Sequence, residues 1–377
     1  MQDKIKRKVV QLVSFKSAYN ENLQTNLRSN HEFASNFDLV EINFEDIMIE
    51  FESRFGFKPY KEINIINKIR YLLTLNKYLI NKYDHLKGSI LHIQYVLPKY
   101  AFLIYFFKKT FTKTIITFWG SDVLRIDRSS KKIPLKILSW YSDIITFETK
   151  AFSDIYKKTI SNKFNNKIRI VDFGIEILSI IDKITNSDIE SFKQKFNINS
   201  NSKVVVIGYN KNIEQQHVKV VKSLLDSKIK KEDVFLIFPW TYGSEIVGYK
   251  DQIKDLMEDR FNYLFIENRL TDKEVAILRC CTDILVNVET TDVLSSSMLE
   301  TLYAENIVIT GSWLPYEDMY GIGVVMEQVD DIDEVGFKIA HLITNNYDSK
   351  IKSQNKKHIG ELYIWSNCIS KWVDLYK

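Results

Sequence analysis

The sequence predicts an α/β protein of two domains, each a parallel sheet covered by helices. The first observation is length, because 377 residues exceed the roughly 150 residues of a typical domain. The second is the alternation of short β-branched or aromatic runs with longer amphipathic stretches, which is typical of parallel α/β structure. The third is composition: 45% hydrophobic and 27% charged residues are ordinary globular proportions.

Two series of predicted strands follow one another along the chain. A polar, helix-forming segment separates them, so we place a first domain at 1–180 and a second at 181–355. The apolar spacing of 356–377 predicts a terminal helix that packs on an apolar surface. The predicted strands are 8–15, 38–44, 89–97, 114–120, 143–149 and 168–174 in the first series, and 203–209, 233–240, 262–267, 283–289, 306–311 and 323–329 in the second.

The cysteines and the apolar runs indicate a cytoplasmic protein. Cys280, Cys281 and Cys368 lack metal-ligand spacing, and an odd count without an apolar leader favours a reducing compartment. The longest apolar run, 101–107, is far shorter than the ~20 residues of a membrane-spanning helix. We therefore expect no transmembrane segment.

Positive charge is concentrated in the segment 99–136. This segment holds nine basic and two acidic residues, although the net charge of the whole chain is only +4. Aromatic residues lie beside its lysines in the stretch YAFLIYFFKKTFTK, residues 100–113. Such a patch suits an anionic lipid surface, so we expect peripheral binding to the inner face of the cell membrane. The alternative is a solvated surface face.

Several common site motifs are absent from the sequence. There is no phosphate loop, no paired C-x-x-C and no G-x-S-x-G elbow, and the one G-x-G precedes a strand instead of joining a strand to a helix. The acidic run 330–335 resembles a metal-binding D-x-D, but it opens a helix-like stretch, which favours N-terminal capping. We expect no metal site.

The start of a predicted helix after strand 283–289 combines acids with hydroxyl groups. Asp292 and Glu300 flank three serines, Ser295, Ser296 and Ser297. Ligands of open α/β sheets bind at the carboxyl ends of strands, and helix N-termini favour phosphate, so a diphosphate with Glu300 on the ribose is one interpretation. The other is a capping box of Ser297 with Glu300, a pattern that recurs at Ser187/Glu190 and Thr271/Glu274.

Three segments resemble known families. Asp292-x7-Glu300, followed by TLYAENIVITGSWLPY, resembles the E-x7-E segment and following strand of GT-B glycosyltransferases of family 4, with Asp in place of the first Glu. The segments FWGSDVLR (118–125) and GYNKNIEQQH (208–217), supported by FPWTYG (238–243), resemble bacterial GT-B transferases of family 56. The latter add 4-acetamido-4,6-dideoxygalactose to a lipid-linked precursor.

The resemblance implies two Rossmann-like domains facing across a cleft, with the terminal helix packing back toward the first. It implies a nucleotide-sugar held mainly by the second domain, an acceptor bound by the first, and neither a metal nor another cofactor. Because the two families differ in stereochemistry, retention and inversion both stay open.

Individual residues are candidates for binding the donor or the acceptor. Asp122 follows strand 114–120 and is either the general base for the acceptor hydroxyl or a helix cap. The other candidates lie after strands of the two series. They are Lys211, His217, Tyr242 and Gly243 for the donor, where a cation would neutralise the leaving diphosphate, and Gly120, Ser121, Thr149 and Lys150 for the acceptor.

The sequence therefore predicts a glycosyltransferase that moves a sugar from a nucleotide-sugar to a bacterial surface polysaccharide or its lipid-linked precursor. One alternative is a GT-B enzyme of other chemistry, an epimerase or a phosphorylase. Another is a non-catalytic two-domain protein that binds a ligand. Nucleic acid is not expected as a partner, because the basic segment carries no recognised reading motif.

Overall fold

The chain forms two compact α/β units. The computed structural model describes residues 6–14, 17–126 and 129–377. Unit 1 comprises the described residues up to Gly174 together with Trp365–Lys377, and unit 2 comprises Ile175–Ile364. The division thus lies before the predicted boundary at 180, and unit 1 also includes residues from the end of the chain.

Each unit contains one six-stranded sheet in which every neighbouring pair of strands is parallel. In unit 1 the order is β2-β1-β3-β4-β5-β6, and in unit 2 it is β12-β11-β10-β7-β8-β9. The strands are β1 Arg7–Val13, β2 Phe37–Asn43, β3 Ser89–Gln94, β4 Phe111–Thr117, β5 Ile144–Phe147, β6 Ile168–Ile170, β7 Lys203–Ile207, β8 Val234–Pro239, β9 Asn262–Ile266, β10 Ile284–Asn287, β11 Ile307–Gly311 and β12 Glu327–Val329.

Helices connect these parallel strands and cover the sheets. Those of unit 1 are α1 Ala18–Ser29, α2 His31–Asn36, α3 Phe44–Phe55, α4 Ile65–Lys82, α5 Ile104–Thr110, α6 Ser121–Leu124, α7 Ser129–Tyr141, α8 Lys150–Thr159 and α18 Trp365–Asp374. Those of unit 2 are α9 Glu176–Ile181, α10 Asn186–Lys195, α11 His217–Asp226, α12 Tyr249–Met257, α13 Asp272–Cys281, α14 Ser296–Tyr303, α15 Glu317–Gly321, α16 Val335–Thr344 and α17 Ser349–Tyr363. None of the described helices is long and apolar enough to cross a membrane.

All twelve predicted strands are present, and the α/β fold prediction is confirmed. Central strands such as β3 and β8 are buried at every position, as expected for a parallel sheet with helices on both faces. Phe15, the last residue of the first predicted strand, lies outside the described residues. The last predicted strand, 323–329, is shorter than expected, because only Glu327–Val329 pairs with β11.

The predicted terminal helix, 356–377, is in fact two helices. Helix α17 belongs to unit 2 and ends at Tyr363, and Ile364 adopts an extended conformation before α18 begins. Trp365 and Trp372 of α18 are buried in unit 1, where Trp372 Nε1 donates to the carbonyl oxygen of Asp172 at 2.9 Å. The last helix therefore packs within the first unit, as the family resemblance implies.

Helix capping follows the sequence at two of three candidate positions outside the site. Thr271 and Glu274 form the predicted capping box at α13. At α10 the box consists of Thr185 and Asp188 instead of the predicted Ser187/Glu190 pair. In the acidic run 330–335, the Asp331 side chain accepts from Asp333 N at 3.0 Å, so the predicted capping role is present.

Candidate functional site

Two loops meet at the carboxyl edge of the sheet in unit 2. The backbone N–H of Lys211, after β7, donates to the carbonyl oxygen of Tyr242, after β8, at 3.0 Å. Asn212 Oδ1 accepts from Ser244 N at 2.7 Å. Gly243 has φ +117°, and a Cβ there would lie 2.7 Å from Asn212 Oδ1, so this turn requires glycine. The predicted donor residues Lys211, Tyr242 and Gly243 are thus held together.

The start of α14 carries the three serines, and Ser295 and Ser297 help to fix its position. Ser295 is the N-cap, and its hydroxyl accepts from Met298 N at 3.4 Å. Ser297 Oγ accepts from Arg279 Nη2 at 2.7 Å. Ser296 is the first residue of the helix and is half-buried. The helix start is therefore fixed both by its cap and by a side chain from α13.

Glu300 does not form the capping box that its spacing with Ser297 suggests. Its Oε2 instead accepts from Arg279 Nε at 2.9 Å. The cap is Ser295, two residues earlier than the S-x-x-E pattern requires. The capping box of Ser297 with Glu300 is therefore wrong, because the Glu300 carboxylate binds the guanidinium of Arg279 instead. The local sequence pattern does not reveal this partner.

Arg279 and Glu300 form a deeply buried ion pair. Arg279 is 6% exposed, and its Nη1 is buried without a hydrogen-bond partner. Burial raises the pKa of Glu300, and the charge of Arg279 opposes this effect. A buried donor without an acceptor costs about 1–3 kcal/mol, so this guanidinium could accommodate an additional anionic partner.

Two further acids near this edge of the sheet accept hydrogen bonds from tyrosine hydroxyl groups. Asp292 Oδ2 accepts from the hydroxyl of Tyr316 at 2.6 Å, and the same hydroxyl accepts from Asn287 Nδ2 at 2.8 Å. Glu289, which is 2% exposed, accepts from the hydroxyl of Tyr209. The edge of the sheet therefore presents oriented carboxylates whose positions are set by phenol groups.

Tyr242 connects the loop after β8 to the ion pair. Its side chain is 56% exposed, yet desolvation by the surrounding protein raises its pKa to about 12. Arg279 lowers that pKa and Glu300 raises it, so both charges lie close enough to act on the phenol. The predicted donor residues Tyr242, Glu300, Ser297 and Asp292 consequently belong to one region of unit 2.

Two predicted cations do not have the environment expected of a ligand for phosphate. His217 is completely buried, burial lowers its pKa to about 3, and its Nδ1 lies 3.3 Å from the Tyr249 hydroxyl. Burial therefore disfavours the charged form of His217, contrary to the cationic role expected from the sequence. Lys211 is paired with Glu245, so a ligand phosphate would have to compete with that carboxylate.

In unit 1, Asp122 stabilises the turn that follows β4. Its carboxylate accepts from the backbone N–H groups of Val96 at 3.1 Å, Trp119 at 3.0 Å and Gly120 at 2.9 Å. Gly120, with φ +124°, is itself the N-cap of α6, so Asp122 is not the helix cap considered from the sequence. Burial raises the pKa of Asp122 to about 6 against these hydrogen bonds.

The remaining predicted acceptor residues lie near the same edge of the first sheet. Ser121 Oγ lies 3.0 Å from the Tyr95 hydroxyl. Thr149 caps α8 by accepting from Phe152 N at 3.1 Å, and Lys150 begins that helix with an exposed side chain. Gly120, Ser121 and Asp122 share one turn, and Thr149 follows β5, which is the neighbouring strand.

Over residues 6–14, 17–126 and 129–377, no three His, Cys, Asp or Glu side chains are grouped closely enough to hold a metal ion.

Sequence reasoning missed four residues of the candidate site: Arg279, Glu289, Tyr209 and Tyr316. Glu289 and Tyr209 each end a predicted strand and could have been identified from that position, whereas Arg279 and Tyr316 meet the site only through tertiary packing.

Comparison with known proteins identifies the fold. No family model matches this sequence, and no curated protein matches it at a significant level. A glycosyltransferase structure from Rickettsia africae is 14% identical, with TM-score 0.71, over 99% of this chain and 98% of that chain. Anabaena HepE in complex with UDP is 11% identical, with TM-score 0.69, over 98% and 99%. Sucrose-phosphate synthase from Thermosynechococcus elongatus is 10% identical, with TM-score 0.69, over 98% of each chain.

These similarities extend over nearly the whole chain and include both parallel sheets. The protein therefore has the GT-B fold, as the resemblance of the sequence segments implies. At these identities the comparison defines the fold, and the chemistry has to be argued from the residues of this chain.

Proposed function

We propose that the protein is a glycosyltransferase that takes its sugar from a nucleotide-sugar. The observation that carries the proposal is the buried guanidinium of Arg279, which contacts Ser297 and Glu300 at the start of α14. A helix N-terminus at the carboxyl edge of a parallel sheet favours a diphosphate. The HepE structures with UDP and with UDP-glucose have the same fold, which is consistent with a donor of this class.

In this proposal the start of α14 and Arg279 bind the diphosphate. The N–H groups of the first turn and the positive end of the helix dipole attract the phosphates. Nη1 of Arg279 lacks an acceptor, so a phosphate oxygen would satisfy it after a small side-chain shift. Glu300 uses Oε2 for Arg279, and we assign Oε1 to the hydroxyl groups of the ribose.

We assign the acceptor to unit 1 and propose a bacterial surface polysaccharide or its lipid-linked precursor, with no metal requirement. The resemblance of 118–125 to family 56 transferases supports this assignment. Asp122 would take the proton of the acceptor hydroxyl, for which a pKa of about 6 is suitable near neutral pH. Transfer to a polyprenyl diphosphate-linked sugar should persist in EDTA, and its abolition by EDTA would contradict metal independence.

Donor binding is tested by thermal-shift measurements with UDP-, GDP-, dTDP- and CMP-sugars. Ligand at a hundred times its Kd adds about 2.7 kcal/mol of apparent stability, so the correct nucleotide should give a clear increase in Tm. Glu300→Gln should reduce that increase, whereas Glu361→Gln, at an exposed position of α17, should retain it. A panel without any response would contradict the proposal.

Catalysis is separated from binding with variants of Asp122. The wild-type protein should hydrolyse its nucleotide-sugar slowly, and Asp122→Ala and Asp122→Asn should lose this hydrolysis while the donor still raises Tm. Donor binding without hydrolysis or transfer by the wild-type protein would instead indicate a non-catalytic binding protein.

A further inference from the structure

Helix α7 presents apolar side chains on two opposite faces. Its inner face carries Leu135 and Leu138, which are buried in unit 1. Its outer face carries Ile133, Ile137 and Trp140, which are 62%, 42% and 66% exposed. Their i, i+4, i+7 spacing aligns them in one stripe. The outer face of a surface helix is ordinarily polar, so this stripe has no explanation in the packing of unit 1.

The stripe borders a groove of about 630 Å³ between α7 and the connection from α8 to β6. Phe164 adds to its apolar lining. The other described residues of the lining are basic or neutral polar, and none of these is acidic: Lys136, Lys163, Asn166 and Lys167. The groove therefore combines an apolar floor with positive charge.

The lysines around the groove have two different roles. Lys167 holds the end of α7, because its amine donates to the carbonyl oxygens of Trp140 at 2.7 Å and Ser142 at 2.6 Å. Lys136 and Lys163 are exposed at the rim. Lys108 lies 5.9 Å from the centre of the Trp140 ring and adds positive charge beside the stripe.

The structure changes which apolar residues can contact a membrane. In the aromatic run that the sequence suggested, Tyr100, Phe106 and Phe107 belong to the core and are at most 4% exposed. Phe102 and Tyr105 are exposed. Asp127 and Arg128 of the basic segment lie outside the described residues. Helix α7 carries a larger aligned set, with three exposed apolar side chains on one helix face.

We propose that the outer face of α7 docks on the surface of an anionic bilayer. Ile133, Ile137 and Trp140 enter the headgroup region, and Lys136 and Lys163 contact the lipid phosphates. An apolar stripe flanked by lysines is the arrangement expected of an interfacial helix. None of the described residues that line the groove is acidic, which favours an anionic surface over a basic partner. This inference concerns a surface, and it stands or falls independently of sugar transfer.

Co-sedimentation with phospholipid vesicles tests the proposal without any sugar donor. The protein should bind vesicles of phosphatidylglycerol and phosphatidylcholine and bind pure phosphatidylcholine weakly. Lys136→Gln/Lys163→Gln should lower the partition coefficient roughly thirtyfold, since each lysine near the surface contributes a factor of about five. Trp140→Ser should lower it roughly tenfold through lost apolar burial.

Matched variants in unit 2 serve as controls. Phe337 is 57% exposed on α16, and Lys222 and Lys228 are exposed near the end of α11. Phe337→Ser and Lys222→Gln/Lys228→Gln should bind like the wild type. Equal binding by all variants, or no binding by the wild type, would overturn the proposal. A dimer in sedimentation equilibrium that Trp140→Ser dissociates would also overturn it, because the stripe would then be a contact between copies.

A second measurement locates Trp140 directly. Brominated phosphatidylglycerol quenches tryptophan fluorescence at short range, so it should quench the wild-type protein more than Trp140→Phe. Equal quenching of the two proteins would mean that another surface enters the bilayer.

Discussion

Arg279 and Glu300 are the residues on which the proposed donor site depends most. Their ion pair is almost completely buried, and pairs of this kind gain little net stability because both charges lose their hydration. Stability alone therefore gives a weak reason for charged groups here. A role in binding a charged ligand provides a stronger one.

A double replacement separates these two roles. Arg279→Met leaves Glu300 as an uncompensated buried acid and should lower the free energy of unfolding by about 3–5 kcal/mol. Arg279→Met/Glu300→Leu removes both charges and should recover most of that loss. Urea unfolding measures the stability, and thermal shift measures donor binding, which should be absent from both variants. Wild-type donor affinity in the double variant would contradict the assigned site.

The pKa of Asp122 predicts a pH dependence of stability. Burial raises it to about 6 in the folded protein, whereas an unfolded aspartate titrates near about 3.9. The folded state therefore binds the proton more tightly than the unfolded state does. The stability gained from this tighter binding is complete below pH ~4 and is lost as the pH rises through ~6, a change of about 3 kcal/mol. The difference in unfolding free energy between wild type and Asp122→Asn should fall over this window. A difference that is constant with pH would refute the shifted pKa.

Sequence reasoning located part of the site at residue level. Asp292, Ser297 and Glu300 lie within one short stretch. Their spacing and the predicted strand before them were therefore sufficient to select them as candidates for the donor site. Arg279 lies on the preceding helix, and its side chain reaches the site through packing that no local pattern encodes. His217 shows the converse, because its place at a helix start resembled a site while its side chain is in the core.

At the scale of elements, the strands were predictable because each is a short β-branched or aromatic run between helical segments. The positions at which helices are interrupted were harder to predict. Helix α17 ends at Tyr363, whose carbonyl oxygen accepts from Ile175 N at 2.8 Å, and neither proline nor glycine marks Ile364 as the break. The division of the terminal helix thus coincides with a tertiary hydrogen bond that the local sequence does not reveal.

The N-terminus of α14 offers a matched pair of serine variants. Ser295 caps the helix, so Ser295→Ala should lower the free energy of unfolding by about 1 kcal/mol. Ser297 orients Arg279, so Ser297→Ala should weaken donor binding more than Ser295→Ala does. Urea unfolding and thermal shift on both variants decide the point. The opposite ranking in donor binding would show that Ser297 does not orient the guanidinium.

Helix α18 should be required for the stability of unit 1. Trp372 is 1% exposed, and its replacement by alanine should cost about 3–5 kcal/mol through the cavity and the lost hydrogen bond to Asp172. Trp140→Ala, at an exposed position of α7, is the matched control and should change stability by no more than about 0.5 kcal/mol. Equal effects of the two replacements on urea unfolding would mean that α18 contributes little to the core.

At the scale of the whole molecule, two parallel sheets from one chain provide two carboxyl edges at which ligands can bind. The edge of unit 2 carries the buried guanidinium and the acids, and the edge of unit 1 carries the turn of Asp122. This division of residues is the basis for assigning the donor to unit 2 and the acceptor to unit 1.

The central claim is that unit 2 binds a nucleotide-sugar at the start of α14. A crystal structure with the nucleotide-sugar that gives the largest thermal shift tests it most directly. The account predicts the diphosphate on the first turn of α14, within hydrogen-bond distance of Arg279, and the ribose on Glu300. A nucleotide bound instead in the groove of about 410 Å³ that Gln216, Lys219 and Tyr249 line would contradict it.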